Sequence, residues 1–224
     1  VSITEWPVAE RPREKLLARG AEALSDAELL AILLRTGVKG ASALDVARGL
    51  LLQFGTLNAL FAADADECAR QPGLGTAKYA QLMAARELAR RSLSEQLNRC
   101  DALASPKAVR DYLRMTIGHR DVEVFFALFL SAQNHVLAVE EICKGTLTEA
   151  RVYPREILRR ALARNAASVI VAHNHPSGVA EPSQADRALT AALKSVLELV
   201  DIRLLDHFVI TAGHAVSLAE RGWL

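Results

Sequence analysis

The stretch ASVIVAHNHPSGVAEPSQAD, residues 167–186, decides the fold of the second half of this chain. Its first part is a short β-branched run that predicts a buried strand over Ser168–Ala172, leading directly into His173. Residues two apart on an extended chain point to the same side, so His173 and His175 turn their imidazoles toward one place. Pro176, Ser177 and Gly178 stop the strand and turn the chain. Pro182 and Ser183 then open a helix expected from Gln184 to about Val200, which puts Asp186 in its first turn.

Two neutral imidazoles and one carboxylate would give a site of net charge about +1 around Zn²⁺, with a fourth position left for water, as catalytic zinc requires. Such an ion brings the pKa of its water toward ~7 and supplies hydroxide at neutral pH. Capping offers a second account of part of the pattern. Ser183 and Asp186 form a capping box, and an acidic residue in a first turn suits the helix dipole. Capping leaves two histidines at a strand end without a packing reason, however, and a capping serine can still present its hydroxyl to a site.

Around this stretch the pattern predicts strands over 122–130 and 135–144, a helix over 155–164, a strand over 202–211 and a short one near Val216. The amphipathic helix PKAVRDYLRMTI precedes them. This order makes a mixed sheet flanked by helices, with the candidate metal at the end of a central strand. Asp206 and His207 are neighbours inside the apolar strand LLDHFVI, so only one can face that end. Asp206 is the stronger candidate for orienting a metal-bound imidazole, because a carboxylate accepts the second ring N–H. A buried aspartate satisfied by backbone donors is the alternative.

Residues 1–91 read as helical throughout. Ser25 caps a helix with Glu28 three residues on, SALDVARGLLLQFG ends at Gly55, and Pro72-Gly73-Leu74-Gly75 joins TLNALFAADADECARQ to TAKYAQLMAARELARRSL. Helix, Gly-apolar-Gly turn and helix outline a helix-hairpin-helix. Its glycines let backbone approach a phosphate that the next helix N-terminus can hold. Gly73, Gly75, Thr76 and Lys78 are the candidates for DNA contact; a tight αα turn or a protein-contact module uses the same residues. The expected class is α+β: an all-α domain over 1–91, a linker over 92–104 and a mixed-sheet α/β domain over 105–224.

Composition limits the alternatives. Hydrophobic residues make up 51% of the 224 residues, enough for a core, and the net charge is +1. With 27 basic and 26 acidic side chains, no strongly basic surface is forced, which argues against tight non-specific nucleic-acid binding. Cys68, Cys100 and Cys143 are an odd, widely spaced set that reads as reduced thiols. No run approaches the ~20 apolar residues of a membrane span, and Glu and Pro stand where a signal peptide needs an apolar core. A cytoplasmic protein with no membrane partner is expected.

The His-x-His, Ser183 and Asp186 pattern resembles the metal motif of the JAMM (MPN-domain) metalloproteases. HNHPSG, followed by EPSQAD and LLDHFVI, is similar to the bacterial RadC family within that superfamily. So are ERPREKLL, AELLAILLRTG, PGLGTAKYAQL, VYPREIL and the final SLAERGWL, in the same order over nearly the whole chain. The resemblance implies a cytidine-deaminase-like α/β fold, zinc held by His173, His175 and Asp186, and Ser183 helping to hold an oxyanion. It also implies a glutamate base on an earlier strand. Glu123 is the choice, since it opens VEVFFALFL, with Glu140, Glu141 and Glu156 as competitors. The implied activity is a zinc-dependent cleavage of a peptide or isopeptide bond in an unidentified substrate. The alternative is a DNA-binding accessory factor of repair or recombination with a structural or vestigial metal site.

Overall fold

The computed structural model describes residues 5–99, 101, 102, 105–145 and 152–224, and the chain divides into two compact units, Val1–Ala89 and Arg90–Leu224. The first is helical, with α1 (Pro12–Arg19), α2 (Asp26–Leu34), α3 (Ala43–Phe54), α4 (Leu57–Ala62), α5 (Ala65–Ala69) and the start of α6 (Thr76–Arg99). Local chemistry sets most of these ends. Capping boxes start α2 at Ser25 with Glu28, α3 at Ser42 with Asp45 and α5 at Asp64 with Glu67. The Asp64 box splits the TLNALFAADADECARQ run into two short helices, because Asp64 and Glu67 cap each other's N–H and restart the chain. Leu30, Leu34, Leu44, Leu50, Leu60, Leu74 and Leu82 form the core of this unit.

The linker expected over 92–104 is corrected at its start, because α6 continues to Arg99. Leu93 and Leu97 lie four residues apart on one helical stripe and pack into the core of the second unit, Leu97 fully buried. That single stripe is too short to register as periodicity in sequence. Cys100, Leu103 and Ala104 lie outside the described residues.

The second unit is a five-stranded mixed sheet between helices. Its elements are α7 (Pro106–Ile117), β1 (Val124–Leu130), β2 (Val136–Lys144), α8 (Pro154–Ala163), β3 (Ser168–Asn174), α9 (Gln184–Glu198), β4 (Arg203–Ile210) and β5 (Ala215–Ser217). The strand order is β2-β1-β3-β4-β5, with β3 and β4 parallel and every other pair antiparallel. The β3–α9–β4 crossover is thus the one parallel connection among the described residues. It brings the start of α9 back over the end of β3.

β1 and β3 are buried at every residue, as central strands covered on both faces should be. Alternation divides their side chains into two layers. Phe126, Leu128, Ile170, Ala172, Phe208 and Ile210 meet Val109, Tyr112, Leu113 and Ile117 of α7. Phe125, Ala127, Phe129, Val169 and Val171 meet Ile157 and Ala161 of α8 and Leu193 and Leu197 of α9. His173 follows Val171 on the α8/α9 face, at the end of the strand where the apolar layer stops. Among the described residues, no helix is long and apolar enough to cross a membrane.

Candidate metal centre

His173 closes the α8/α9 layer. Its ring stacks on Phe125, its β1 partner, with centroids 6.0 Å apart and planes 6° from parallel. Two residues on, His175 leaves the sheet: its N–H still donates to Ile210 O at 2.8 Å, and the chain then turns through Gly178, whose φ of +81° suits glycine. Ser183 caps α9 and delivers Asp186 into the first turn. Strand end, turn and helix start thus bring three ligand atoms within 4.8 Å of one another. His173 Nε2 lies 3.0 Å from His175 Nε2 and 3.1 Å from Asp186 Oδ1, and His175 Nε2 lies 3.6 Å from Asp186 Oδ2.

The donor chemistry fits a cation. His175 Nδ1 is 2.8 Å from the carbonyl of Val179, which can only accept, so Nδ1 carries the proton and the Nε2 lone pair faces His173. A lone pair, a second imidazole nitrogen and a carboxylate at these separations repel unless a proton or a metal ion sits among them. Burial pushes the Asp186 carboxyl up, but the hydrogen bonds it accepts from His173 and His175 when those rings are protonated, with that from Ser183, outweigh burial and hold the group far below the usual range. Hydrogen bonding to Asp186 raises His175 against its own desolvation, with help from the Val179 carbonyl and the charge of Glu123. Two imidazoles and one carboxylate match the open nitrogen–oxygen ligand sets of catalytic zinc.

Glu123 stands just ahead of β1. The antiparallel register pairs Phe125 with His173, so the same register continued two residues beyond the pair would set Glu123 level with His175, and the Glu123 charge helps to raise His175. Its competitors are used elsewhere. Glu140 pairs with Arg160 at 3.1 Å and Arg164 at 2.7 Å, and Glu156 pairs with Arg159 at 3.0 Å. Glu141 is paired in register with Phe126, which places it on the opposite face of the sheet from His173.

Ser183 is both cap and neighbour of the site. Its hydroxyl donates to Asp186 Oδ2 at 2.7 Å, its N–H donates to the same oxygen at 2.7 Å, and it accepts from Asp186 N–H at 3.1 Å. The capping box thereby orients the carboxylate of the candidate cluster, so capping and site-building are one arrangement.

The expectation for Asp206 is corrected. A bulge at Leu205 changes the phase of β4: Val169 pairs with Leu204, but Ile170 pairs with Asp206. Asp206 therefore shares the α7 face, where its carboxylate accepts from Ser217 Oγ (2.6 Å), Ala219 N–H (3.0 Å) and His207 N–H (2.7 Å). His207 takes the site face instead, with Nε2 2.9 Å from His173 Nδ1.

Asn174 was not among the sequence candidates. It lies between the histidines on the opposite face and is buried to 1% exposure. Its amide donates to the carbonyls of Arg120 and Val122 and its oxygen accepts from Val124 N–H, so it clamps the chain on both sides of Glu123. The sequence signal was a polar amide inside a strand end, whose buried hydrogen-bonding capacity must be met.

The DNA-contact candidates of the first unit do not gather in the same way. Gly73 has φ +84°, and a Cβ there would lie 2.9 Å from Val38 Cγ1 and 3.1 Å from both Val46 methyls, so this glycine is required by packing. Gly75 and Thr76 are exposed, and a Cβ at Gly75 would meet nothing within 4 Å. Lys78 Nζ donates to Thr36 O at 2.6 Å, tying α6 to the loop after α2.

A His-x-His at the end of a central strand, joined to a first-turn aspartate of the crossover helix on a mixed α/β/α sandwich, defines a JAB-type domain. Residues 103–223 match the family described as RadC-like JAB domain, and residues 3–80 match the UPF0758 N-terminal family. The chain belongs to the RadC-like, UPF0758 family. It is 66% identical to a UPF0758 protein of Chromobacterium violaceum, 60% to one of Aromatoleum aromaticum and 58% to one of Ectopseudomonas mendocina, each alignment covering 100% of both chains.

Proposed function

We propose that the JAB-type domain is a zinc-dependent hydrolase that cleaves a peptide or isopeptide bond with water. The observation that carries this reading is the convergence of His173 Nε2, His175 Nε2 and the Asp186 carboxylate, with the charge of Glu123 felt at His175. Zinc held there would lower the pKa of its water toward ~7 and polarise the carbonyl to be cleaved. Glu123 takes the proton from the attacking water and passes it to the leaving nitrogen, the acid–base role its place opposite His175 permits. Ser183 lies next to Asp186, and its hydroxyl, which donates to Asp186 Oδ2 in the resting site, would turn that one proton to the oxyanion forming on the carbonyl carbon.

The test is metal analysis of the purified chain with digestion of a mixed peptide and lysine-branched isopeptide library, read by mass spectrometry. One zinc per chain is expected, with cleavage lost in Glu123→Gln while zinc stays bound. A full complement of zinc with identical cleavage by Glu123→Gln would remove Glu123 from the mechanism, and absence of zinc would remove the reading.

For the helical unit we propose weak nucleic-acid contact at the α5–α6 turn. The open space at Gly75, next to the N-terminus of α6, supports it, since a phosphate can approach backbone there.

A further inference from the structure

The ring of His173 has two nitrogens, and only one protonation pattern makes it a ligand. Nε2 must carry a lone pair toward Asp186 and His175, which requires the proton on Nδ1. Nothing in the ring itself enforces that choice. The contacts behind it do. Thr190 Oγ1 is 2.6 Å from the carbonyl oxygen of Asp186, one helical turn earlier, and 2.6 Å from His207 Nδ1. A carbonyl oxygen only accepts, so the single hydroxyl proton lies on that contact and Thr190 accepts from His207 Nδ1–H. The remaining His207 nitrogen, Nε2, then carries a lone pair, and the atom 2.9 Å away is His173 Nδ1. That nitrogen has to donate. Bulk solvent does not reach this chain of bonds: His207 is 0% exposed and His173 and Thr190 are 1% exposed.

Resting on the metal-centre reading above, we propose that His207, backed by Thr190, is a positioning pair that locks His173 in its Nδ1–H tautomer and so holds Nε2 open for a metal ion. The direction of every hydrogen bond is set from the far end, by the main-chain carbonyl of Asp186. That carbonyl belongs to the residue whose carboxylate is another ligand. The bonds therefore close a loop from the ligand on β3, through β4, to the ligand on α9, and fix the spacing of the two as well as the tautomer. Phe125 completes the holding of both rings, parallel to His173 and edge-on to His207, with a centroid separation of 5.6 Å to the latter.

The experiment uses the full chain and four variants, His207→Phe, His207→Gln, Thr190→Val and Thr190→Ser, each checked for retained helix and strand content by circular dichroism. Zinc affinity is measured by competition with a chromophoric chelator, and the His173 tautomer by long-range ¹H–¹⁵N correlation of the metal-free protein at alkaline pH. Phe keeps the ring shape but offers no acceptor, so zinc should bind about 10–100-fold more weakly, the usual cost of losing such a partner. Gln can place its amide oxygen where Nε2 was, and should recover most of the affinity. Val at 190 removes the hydroxyl at constant shape and frees His207 to turn its proton toward His173; its loss should be smaller than that of His207→Phe, and Ser should restore it. The His173 signals should report Nδ1–H in the parent chain and in His207→Gln, and Nε2–H or a mixture in His207→Phe. Should His207→Phe fail to fold, Thr190→Val carries the same comparison. Parent-like zinc affinity in folded His207→Phe and Thr190→Val, or an Nε2–H His173 in the parent chain, would overturn the proposal. A parent chain that binds no zinc would remove the metal reading alone, since the His173 tautomer in parent and His207→Phe still decides whether the pair sets it.

Discussion

In the second unit the polar residues that interrupt an apolar pattern meet at one point, whereas in the first unit the residues of the Pro72–Lys78 turn go separate ways. His173, His175 and Asp186 come from a strand end, a turn and a helix start, and their ligand atoms lie within 4.8 Å. Gly73 is turned inward against Val38 and Val46, Gly75 faces open space, and Lys78 is bound to Thr36 O. Both motifs combine turn residues with polar ones at short spacing. What separates them is burial with incompatible demands: the histidines and the aspartate are placed where a proton or a metal ion has to reconcile them, while each residue of the hairpin turn is satisfied or solvated where it stands.

The largest expected effect tests that demand. In His173→Ala or His175→Ala, two protein ligands remain at an open site, and zinc content by atomic spectroscopy should fall to background. Helical content from the first unit should be unchanged, because its core shares no residue with the centre. A variant that keeps stoichiometric zinc would show that the convergence is a packing arrangement, as the hairpin turn is.

Ser183 sharpens the comparison, since it caps a helix as Ser25 and Ser42 do but does so onto a member of the candidate metal cluster. Glycine is nearly as good an N-cap as serine, costing only a few tenths of a kcal/mol, whereas alanine costs about 1 kcal/mol. Ser183→Gly should therefore melt close to the parent and lose cleavage in the library assay by about 10²-fold or more, the scale of a lost oxyanion donor. Equal activity in the two chains would reduce Ser183 to a cap.

The next effect belongs to the first unit. Gly73→Ala forces a Cβ into the left-handed region and against Val38 and Val46, and should destabilise that unit by about 2–3 kcal/mol in urea unfolding. Zinc affinity should not change. Loss of stability below a few tenths would mean that Gly73 is not held by packing, and would return it to the list of contact residues.

Most element boundaries were legible because local rules set them. β1, β3 and β4 are apolar runs of strand length, and α2, α3 and α9 begin at serine caps readable from three residues of spacing. The His173, His175 and Asp186 cluster was legible for the same reason: two of its members lie at period two on one strand and the third at a fixed place after a cap. His207 was not, because the choice between it and Asp206 depends on the Leu205 bulge, which shifts the face of every later residue in β4 and leaves no mark in the apolar pattern. Asn174 and Thr190 escaped for a related reason. Each acts through a partner 17 to 54 residues away, and sequence spacing carries no information on such pairs.

Asp206→Asn checks that reassignment. Burial raises the Asp206 carboxyl above its ordinary value, against the hydrogen bonds from Ser217, Ala219 and His207. A raised folded-state pKa means that the folded chain holds its proton where the unfolded chain has lost it. Wild-type stability from this group is full below the ordinary carboxylate value and declines as pH rises through the raised one. The asparagine lacks this slope. Its deficit, about 1 kcal/mol for a weakened hydrogen bond, should be largest in acid and shrink toward neutrality in urea titrations. Zinc affinity at neutral pH should match the parent; a loss as large as that of a ligand variant would restore Asp206 to the centre.

The smallest effect concerns the open end of the hairpin turn. If Gly75 lets a phosphate approach the start of α6, binding of a short single-stranded or branched DNA should be detectable at low salt and fall steeply as salt rises, with a slope reflecting a few neutralised phosphates. The net charge of +1 keeps such binding weak. Gly75→Val adds bulk only toward solvent, where a Cβ meets nothing within 4 Å, so the fold should tolerate it while the approach of a phosphate is crowded. A severalfold loss of affinity by fluorescence anisotropy, with unchanged melting, is the expected result. In the same assay Gly73→Ala is a poor comparator because it damages the unit itself, and Lys78→Ala is ambiguous because it also releases Thr36. Gly75→Val isolates the contact. Binding that is absent at low salt, or indifferent to this change in a folded chain, would leave the hairpin turn as a packing element and complete the contrast with the centre on β3.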